Sequence, residues 1–92
     1  MIRGFRCRET KAIFEASGSR RFRAIEAAAK RRLDSLDAAT SLQDLAAIRN
    51  NHLEALSGDL KGQYSIRVND QWRICFAWRE GEPWDVEIVD YH

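Results

Sequence analysis

The sequence predicts an α+β domain, an antiparallel β-sheet with N-terminal helices packed on one of its faces. Three observations carry that expectation. The last thirty residues alternate apolar and polar positions with a period of two. The first forty carry an apolar stripe at helical period. The two patterns occupy separate halves of the chain, which is the segregation of an α+β fold.

Taken in order, Ile2 and Phe5 make residues 1–5 a candidate edge strand that joins the sheet. Ala12, Ile13 and Phe14 make residues 10–16 a turn or two of helix. Gly18 suits the C-cap of that helix, where a positive φ is wanted, and Ser19 suits the N-cap of the next. The main helix is expected over about residues 20–39. Phe22, Ile25, Ala29, Leu33 and Leu36 recur there at spacings of 3, 4, 4 and 3, a stripe that covers one face of a sheet. Glu26 with Lys30, and Lys30 with Asp34, are i,i+4 pairs on the opposite side, each contributing about 0.2–0.5 kcal/mol.

Thr40 or Ser41 caps a third, short helix, with Asp44 three residues after Ser41 as in a capping box. Leu42, Leu45 and Ile48 form its apolar side. Residues 52–56 read as the start of a strand and residues 57–62 as a loop. Three strands follow, carried by Tyr64, Ile66 and Val68, by Trp72, Ile74, Phe76 and Trp78, and by Trp84, Val86 and Ile88. Asn69-Asp70-Gln71 and Glu80-Gly81-Glu82-Pro83 supply the turns between them.

Keeping the apolar residues together fixes the register, because a one-residue slip inverts a strand. Val68 then pairs with Trp72 and Trp78 with Trp84, so every even position faces the core. The odd positions share an open face. On it Arg67 lies opposite Arg73, Glu87 beside Cys75, and Tyr91 near Gln71 and Arg73. Two opposed arginines repel. An anion held between them removes the objection.

Ninety-two residues fit one small domain over residues 1–92. No apolar run is long enough to cross a membrane, and Arg3, Arg6 and Arg8 interrupt any signal peptide. Cys7 and Cys75 lack metal-ligand spacing and read as free thiols of a cytoplasmic protein. With only His52 and His92 available, neither a metal nor another cofactor is expected. The net charge of +1 hides a polarity, since residues 1–33 sum to +7 and residues 34–92 to −6. A basic side of that kind meets a polyanion or an acidic partner, or simply keeps a helix soluble.

The stretches L-E-A-L-S-G-D (residues 53–59), G-Q-Y-S-I-R-V-N-D-Q-W-R-I-C-F (62–76) and E-I-V-D-Y-H (87–92) resemble the HigB toxins. These plasmid maintenance system killer proteins, GraT among them, belong to the RelE/ParE superfamily. The resemblance extends over nearly the whole chain. It implies a RelE/ParE-like fold, a HigA-like antitoxin as partner, and cleavage of mRNA on the 70S ribosome, in its A site, without a metal.

Metal-free RNA cleavage uses the neighbouring 2′-OH as nucleophile. It needs a base for that proton, an acid for the leaving 5′-oxygen and a cation for the transition-state phosphate. Arg73 fits the cation, since a guanidinium is always charged and its fork matches phosphate. Arg67 adds charge nearby. Asp90, Tyr91 and His92 match the family's terminal D-Y-H. His92 suits the acid, Asp90 orients a partner or accepts a proton, and Tyr91 stacks on a base or bonds a phosphate. Glu54 stands where the best-known HigB has a histidine, and Ser57 where it has a lysine. The related YoeB toxins carry a glutamate at the position of Glu54, which makes Glu54 the expected base. Arg20, Arg21, Arg23, Lys30 and Arg31 form the side expected to dock on ribosomal RNA through phosphate contacts. A non-catalytic, ParE-like inhibitor of DNA gyrase is the competing reading, because fold alone does not decide function.

Overall fold

The computed structural model describes residues 1–90. Helices α1 (Arg8–Phe14), α2 (Glu26–Ala38) and α3 (Leu42–Ala47) come first. Strands β1 (Glu54–Ala55), β2 (Gln63–Arg67), β3 (Trp72–Arg79) and β4 (Glu82–Asp90) then form an antiparallel sheet in the order β1-β2-β3-β4. The expected α+β arrangement is present. Ala29, Leu33 and Leu36 of α2, with Phe22 and Ile25 just before it, bury against Ile66, Ile74, Phe76, Val86 and Ile88 of the sheet. Ile13 and Leu45 bring α1 and α3 into the same core. The Phe22 ring meets Trp72 edge-on, with centroids 5.3 Å apart.

The helix ends differ from the expectation in instructive ways. Gly18 is not the cap of α1. That role falls to Ala16 at φ 61°, where its N–H donates to the Ile13 carbonyl at 3.0 Å and the Ser17 N–H to the Ala12 carbonyl at 2.8 Å. This is a Schellman closure built on a non-glycine residue. The left-handed conformation costs an L-residue about 1–2 kcal/mol. Ala16→Gly is therefore expected to raise the melting temperature by about 4–8 °C for each kcal/mol relieved. A thermal melt followed by circular dichroism checks it, and a lowered midpoint would count against strain at this position.

Ser19 caps a turn rather than α2 itself. Its hydroxyl accepts the Phe22 N–H at 3.4 Å while the Glu26 carboxylate accepts the Ser19 N–H at 2.8 Å. Residues 23–25 form a 3-10 turn, and α2 starts only at Glu26. At α3 the Ser41 hydroxyl accepts the Asp44 N–H at 3.2 Å, as expected. Asp44 in turn accepts chiefly from Thr40, taking its N–H at 2.9 Å and its hydroxyl at 3.1 Å, with a smaller contribution from Ser41. These hydrogen bonds hold the Asp44 carboxyl below its ordinary value.

Residues 1–5 are not a full strand, but they do lie along the sheet. Phe5 bridges Val86 in parallel, and the N–H groups of Arg3 and Arg6 donate to the Pro83 and Val86 carbonyls at 2.9 Å. The Val86 N–H donates to Gly4 at 3.0 Å, and the Ile88 N–H to the buried Thr10 hydroxyl of α1 at 3.1 Å. The outer edge of β4 thereby finds partners for its backbone groups.

The register is largely the expected one: Ile66 faces Ile74, Arg67 faces Arg73, and Cys75 faces Glu87. One pairing is different. Trp78 sits opposite Pro83, and Trp84 opposite Ala77. Between these pairs and Cys75–Glu87, β4 holds one residue more than β3, which makes Asp85, at φ 53°, the bulged residue. The bulge breaks the parity of β4. Pro83 takes the buried position, and Trp84 turns to the other face. There the Arg3 and Arg79 guanidinium carbons lie 5.9 and 5.0 Å from its ring centroid.

Candidate active site

Cross-strand pairing aligns Glu54, Ser65, Cys75 and Glu87 in one row across all four strands. Opposed residues share a face, and this is the face away from α2. Arg73 belongs to the next row on the same face, opposite Arg67 and Val89. Its side chain reaches back over Ser65. Nε donates to the Ser65 hydroxyl at 2.8 Å, and Nη2 to the carbonyls of Ser65, at 3.2 Å, and His52. Nη1 lies 3.7 Å from Glu54 Oε1.

The face expected to be open is therefore filled at its centre, with Arg73 only 6% exposed and Ser65 fully buried. A buried charge is tolerated where it is paired and hydrogen-bonded. Arg73 meets both conditions, which fixes the plane of its guanidinium. Glu54, by contrast, is half exposed on the short edge strand. The arrangement is a held cation beside a carboxylate that solvent reaches.

The stretch before β1 explains how that carbonyl arrives. Asn51 is buried and donates from Nδ2 to the Leu45 carbonyl at 3.1 Å, tying the turn at residues 49–51 to α3. His52 then takes φ 43°, a left-handed conformation in which histidine is enriched. Its side chain is exposed while its carbonyl accepts from Arg73. Ser65 and the His52 carbonyl escaped the sequence reading. Nothing marks Ser65 among the strand residues, and the Asn51-His52 pair signals only a turn.

Each of the opposed arginines has a carboxylate partner of its own, which offsets their mutual repulsion. Arg67 pairs through Nη2 with Asp70 in the β2–β3 turn, and Arg73 through Nη1 with Glu54. The Arg67 carbonyl also accepts from Arg32 Nε at 3.1 Å. Asp90 ends β4 opposite Trp72 and accepts from Gln71 Nε2 at 3.2 Å. Tyr91 and His92 lie outside the described residues. Of the expected RNA-binding group, Arg20, Arg21, Arg23 and Arg31 are exposed, and Lys30 is partly buried, 2.6 Å from Asp34. Lys30 and Arg31 ride on α2, across the sheet from Arg73.

Cys75 occupies the middle of the row. Burial pushes its thiol pKa up, the Glu87 carboxylate adds to this, and Arg73 opposes it. Since the thiolate is the reactive form, Cys75 is expected to alkylate more slowly at pH 8 than an unstructured cysteine peptide. Glu87→Gln is expected to speed it, as read by mass spectrometry of iodoacetamide-treated protein. Among the described residues, no three His, Cys, Asp or Glu side chains converge as a metal ion requires. None of the described helices is long and apolar enough to cross a membrane.

A family model described as the RelE-like toxin of type II toxin-antitoxin system HigB matches residues 5–92. Over 57 residues the chain is 49% identical to Toxin HigB-1 of Vibrio cholerae, covering 62% of this chain and 60% of that one. Over 61 residues it is 36% identical to Endoribonuclease HigB of Proteus vulgaris, covering 66% of this chain and 65% of the relative. The matched region thus spans less than two thirds of each relative's length. In structure the chain resembles a component of the YoeB-YefM complex from Staphylococcus aureus, with a TM-score of 0.61 over 100% of this chain and 98% of that one. At 17% identity this is a likeness of fold.

Proposed function

Because the chain belongs to the HigB-like family of RelE-type toxins from type II toxin-antitoxin systems, we propose that it is an endoribonuclease that cuts mRNA in the ribosomal A site and so arrests translation. The observation that carries this reading is the buried Arg73 guanidinium with the Glu54 carboxylate 3.7 Å away. The name of the Proteus vulgaris relative, Endoribonuclease HigB, supports the reaction class.

In the proposed reaction Glu54 takes the proton of the 2′-OH, and the 2′-oxygen attacks the adjacent phosphorus. The bond from phosphorus to the 5′-oxygen breaks, and that oxygen takes a proton from His92. The products are a 2′,3′-cyclic phosphate and a 5′-OH. Arg73 stabilises the added negative charge on the phosphate as it develops. Asp90 and Tyr91 assist, the first by orienting a partner or accepting a proton and the second by stacking on a base or bonding a phosphate. No metal or other cofactor takes part. The dependence on a 2′-OH restricts the enzyme to RNA.

Arg20, Arg21, Arg23, Lys30 and Arg31 dock on ribosomal RNA in this reading, and Arg67 adds charge beside the messenger. Such contacts weaken with salt. A HigA-like antitoxin is the neutralising partner, and the cytoplasm is where both meet the ribosome. The test is primer extension on a defined mRNA with 70S ribosomes, for the wild type and for folded Glu54→Gln and His92→Gln. Cleavage inside the A-site codon, lost in the variants, is the expected result. Intact mRNA with the wild type would overturn the nuclease reading and make gyrase supercoiling the next assay.

A further inference from the structure

Arg73 is held by groups that the proposed chemistry does not use. A guanidinium carries five N–H donors in one plane. The Nε edge is engaged by the Ser65 hydroxyl, and Nη2 by the carbonyls of Ser65 and His52. In a planar group, fixing two corners fixes the third, which is the Nη1 corner facing Glu54. The wall of this socket is also built into the same short stretches as the carboxylate. Ser65 is the direct cross-strand partner of Glu54, and His52 precedes Glu54 by two residues. A shift of the Glu54 strand therefore shifts the socket with it.

We propose that Ser65 and the main-chain carbonyl of His52 are positioning groups that aim the Nη1 corner of Arg73 at the scissile phosphate beside Glu54. The inference rests on the nuclease reading given above. Ser65 touches no substrate in it and acts only through Arg73. For His52 the imidazole is not the working group. Its left-handed φ of 43° is what turns the carbonyl toward the guanidinium, so any residue comfortable at that φ serves and a β-branched one does not.

A structural role and a positioning role separate in the kinetics. If the socket only stabilises the fold, its loss lowers the melting temperature and leaves kcat of the folded fraction unchanged. If it aims Arg73, kcat falls while KM for the ribosome–mRNA complex holds, because the transition-state contact is lost and ground-state docking is not. Misplacement of a catalytic group on the scale of an ångström costs about a hundredfold, so the expected loss is roughly tenfold to a hundredfold.

The experiment is steady-state cleavage of mRNA on 70S ribosomes by Ser65→Ala, Ser65→Thr, His52→Val and His52→Asn, each checked by circular dichroism at the assay temperature. Ser65→Ala and His52→Val are expected to lose kcat at constant KM. Ser65→Thr restores the hydroxyl and His52→Asn tolerates the left-handed backbone, and both are expected to recover most of the loss. Folded Ser65→Ala with unchanged kcat overturns the role of Ser65. Equal losses in His52→Asn and His52→Val overturn the carbonyl role and assign the effect to the imidazole. Should Ser65→Ala fail to fold, the His52 pair decides the matter. A wild type that leaves mRNA intact overturns the nuclease reading and the socket with it, whereas a cleaving wild type beside unaffected variants overturns the socket alone.

Discussion

Arg73→Ala is expected to lower the rate of mRNA cleavage by about two to three orders of magnitude, the usual cost of removing one preorganised donor from a developing oxyanion. Arg73→Lys is expected to recover little of that. An ammonium is a point charge on a flexible stem, and it cannot meet the Ser65 hydroxyl, the carbonyls of Ser65 and His52, and Glu54 at once. Both variants are also expected to melt at lower temperature, since they leave buried acceptors without a donor at about 1–3 kcal/mol each. Rates must accordingly be taken well below each variant's midpoint, with the fraction folded measured in the same buffer. A lysine variant within threefold of the wild type would remove the guanidinium fork from the mechanism.

The second large effect is on stability. Phe76 is completely buried in the core. The Tyr64 and Trp78 rings lie 6.2 and 6.4 Å from it. Phe76→Ala is expected to cost about 3–5 kcal/mol, a large share of the roughly 5–15 kcal/mol that holds a domain folded. Urea denaturation measures it as a lowered midpoint at unchanged slope. Trp84→Ala supplies the contrast. Its ring lies on the opposite face and is only partly buried, so its loss is expected to cost much less despite the larger side chain. Equal costs for the two would mean that Trp84 packs in the core and that the bulge at Asp85 does not redirect it.

The same two aromatic residues mark how far the sequence was legible. Phe76, Ile74 and Ile66 could be placed because alternation has a fixed period, and hairpin pairing carries it from one strand to the next. Trp84 could not, because one extra residue at Asp85 reverses the parity of everything before it in β4. No residue type in E-P-W-D-V announces that. The helical stripe from Phe22 to Leu36 was readable for the reason that made Phe76 readable. The start of α2 was not, because the long-range bond from Ser19 to Glu26 shapes the entry turn.

At the candidate site, guanidinium chemistry suggested Arg73 and the family resemblance suggested Glu54, and the structure brings them together. What went unseen was burial. Alternation assigns a residue to a face, but it does not say that a turn ending at His52 will lay a carbonyl over that face and close off Arg73. The pairing of Arg67 with Asp70 was equally hidden, since it depends on the shape of a turn rather than on strand period.

The bond from Ile88 to Thr10 joins residues 78 positions apart, and Phe5 meets Val86 beside it. This has a consequence for biosynthesis. While the ribosome is still making β3, the apolar stripe of α2 has no Val86 or Ile88 to cover it, and residues 3–6 have no strand to lie along. Contacts this distant form late. A chain arrested after Arg79 is expected to be digested quickly by added protease, whereas one extended through Asp90 resists. On the proposed function, the delay separates manufacture from action. The messenger that encodes the protein must be read through β4 before its product can fold into something able to cut it.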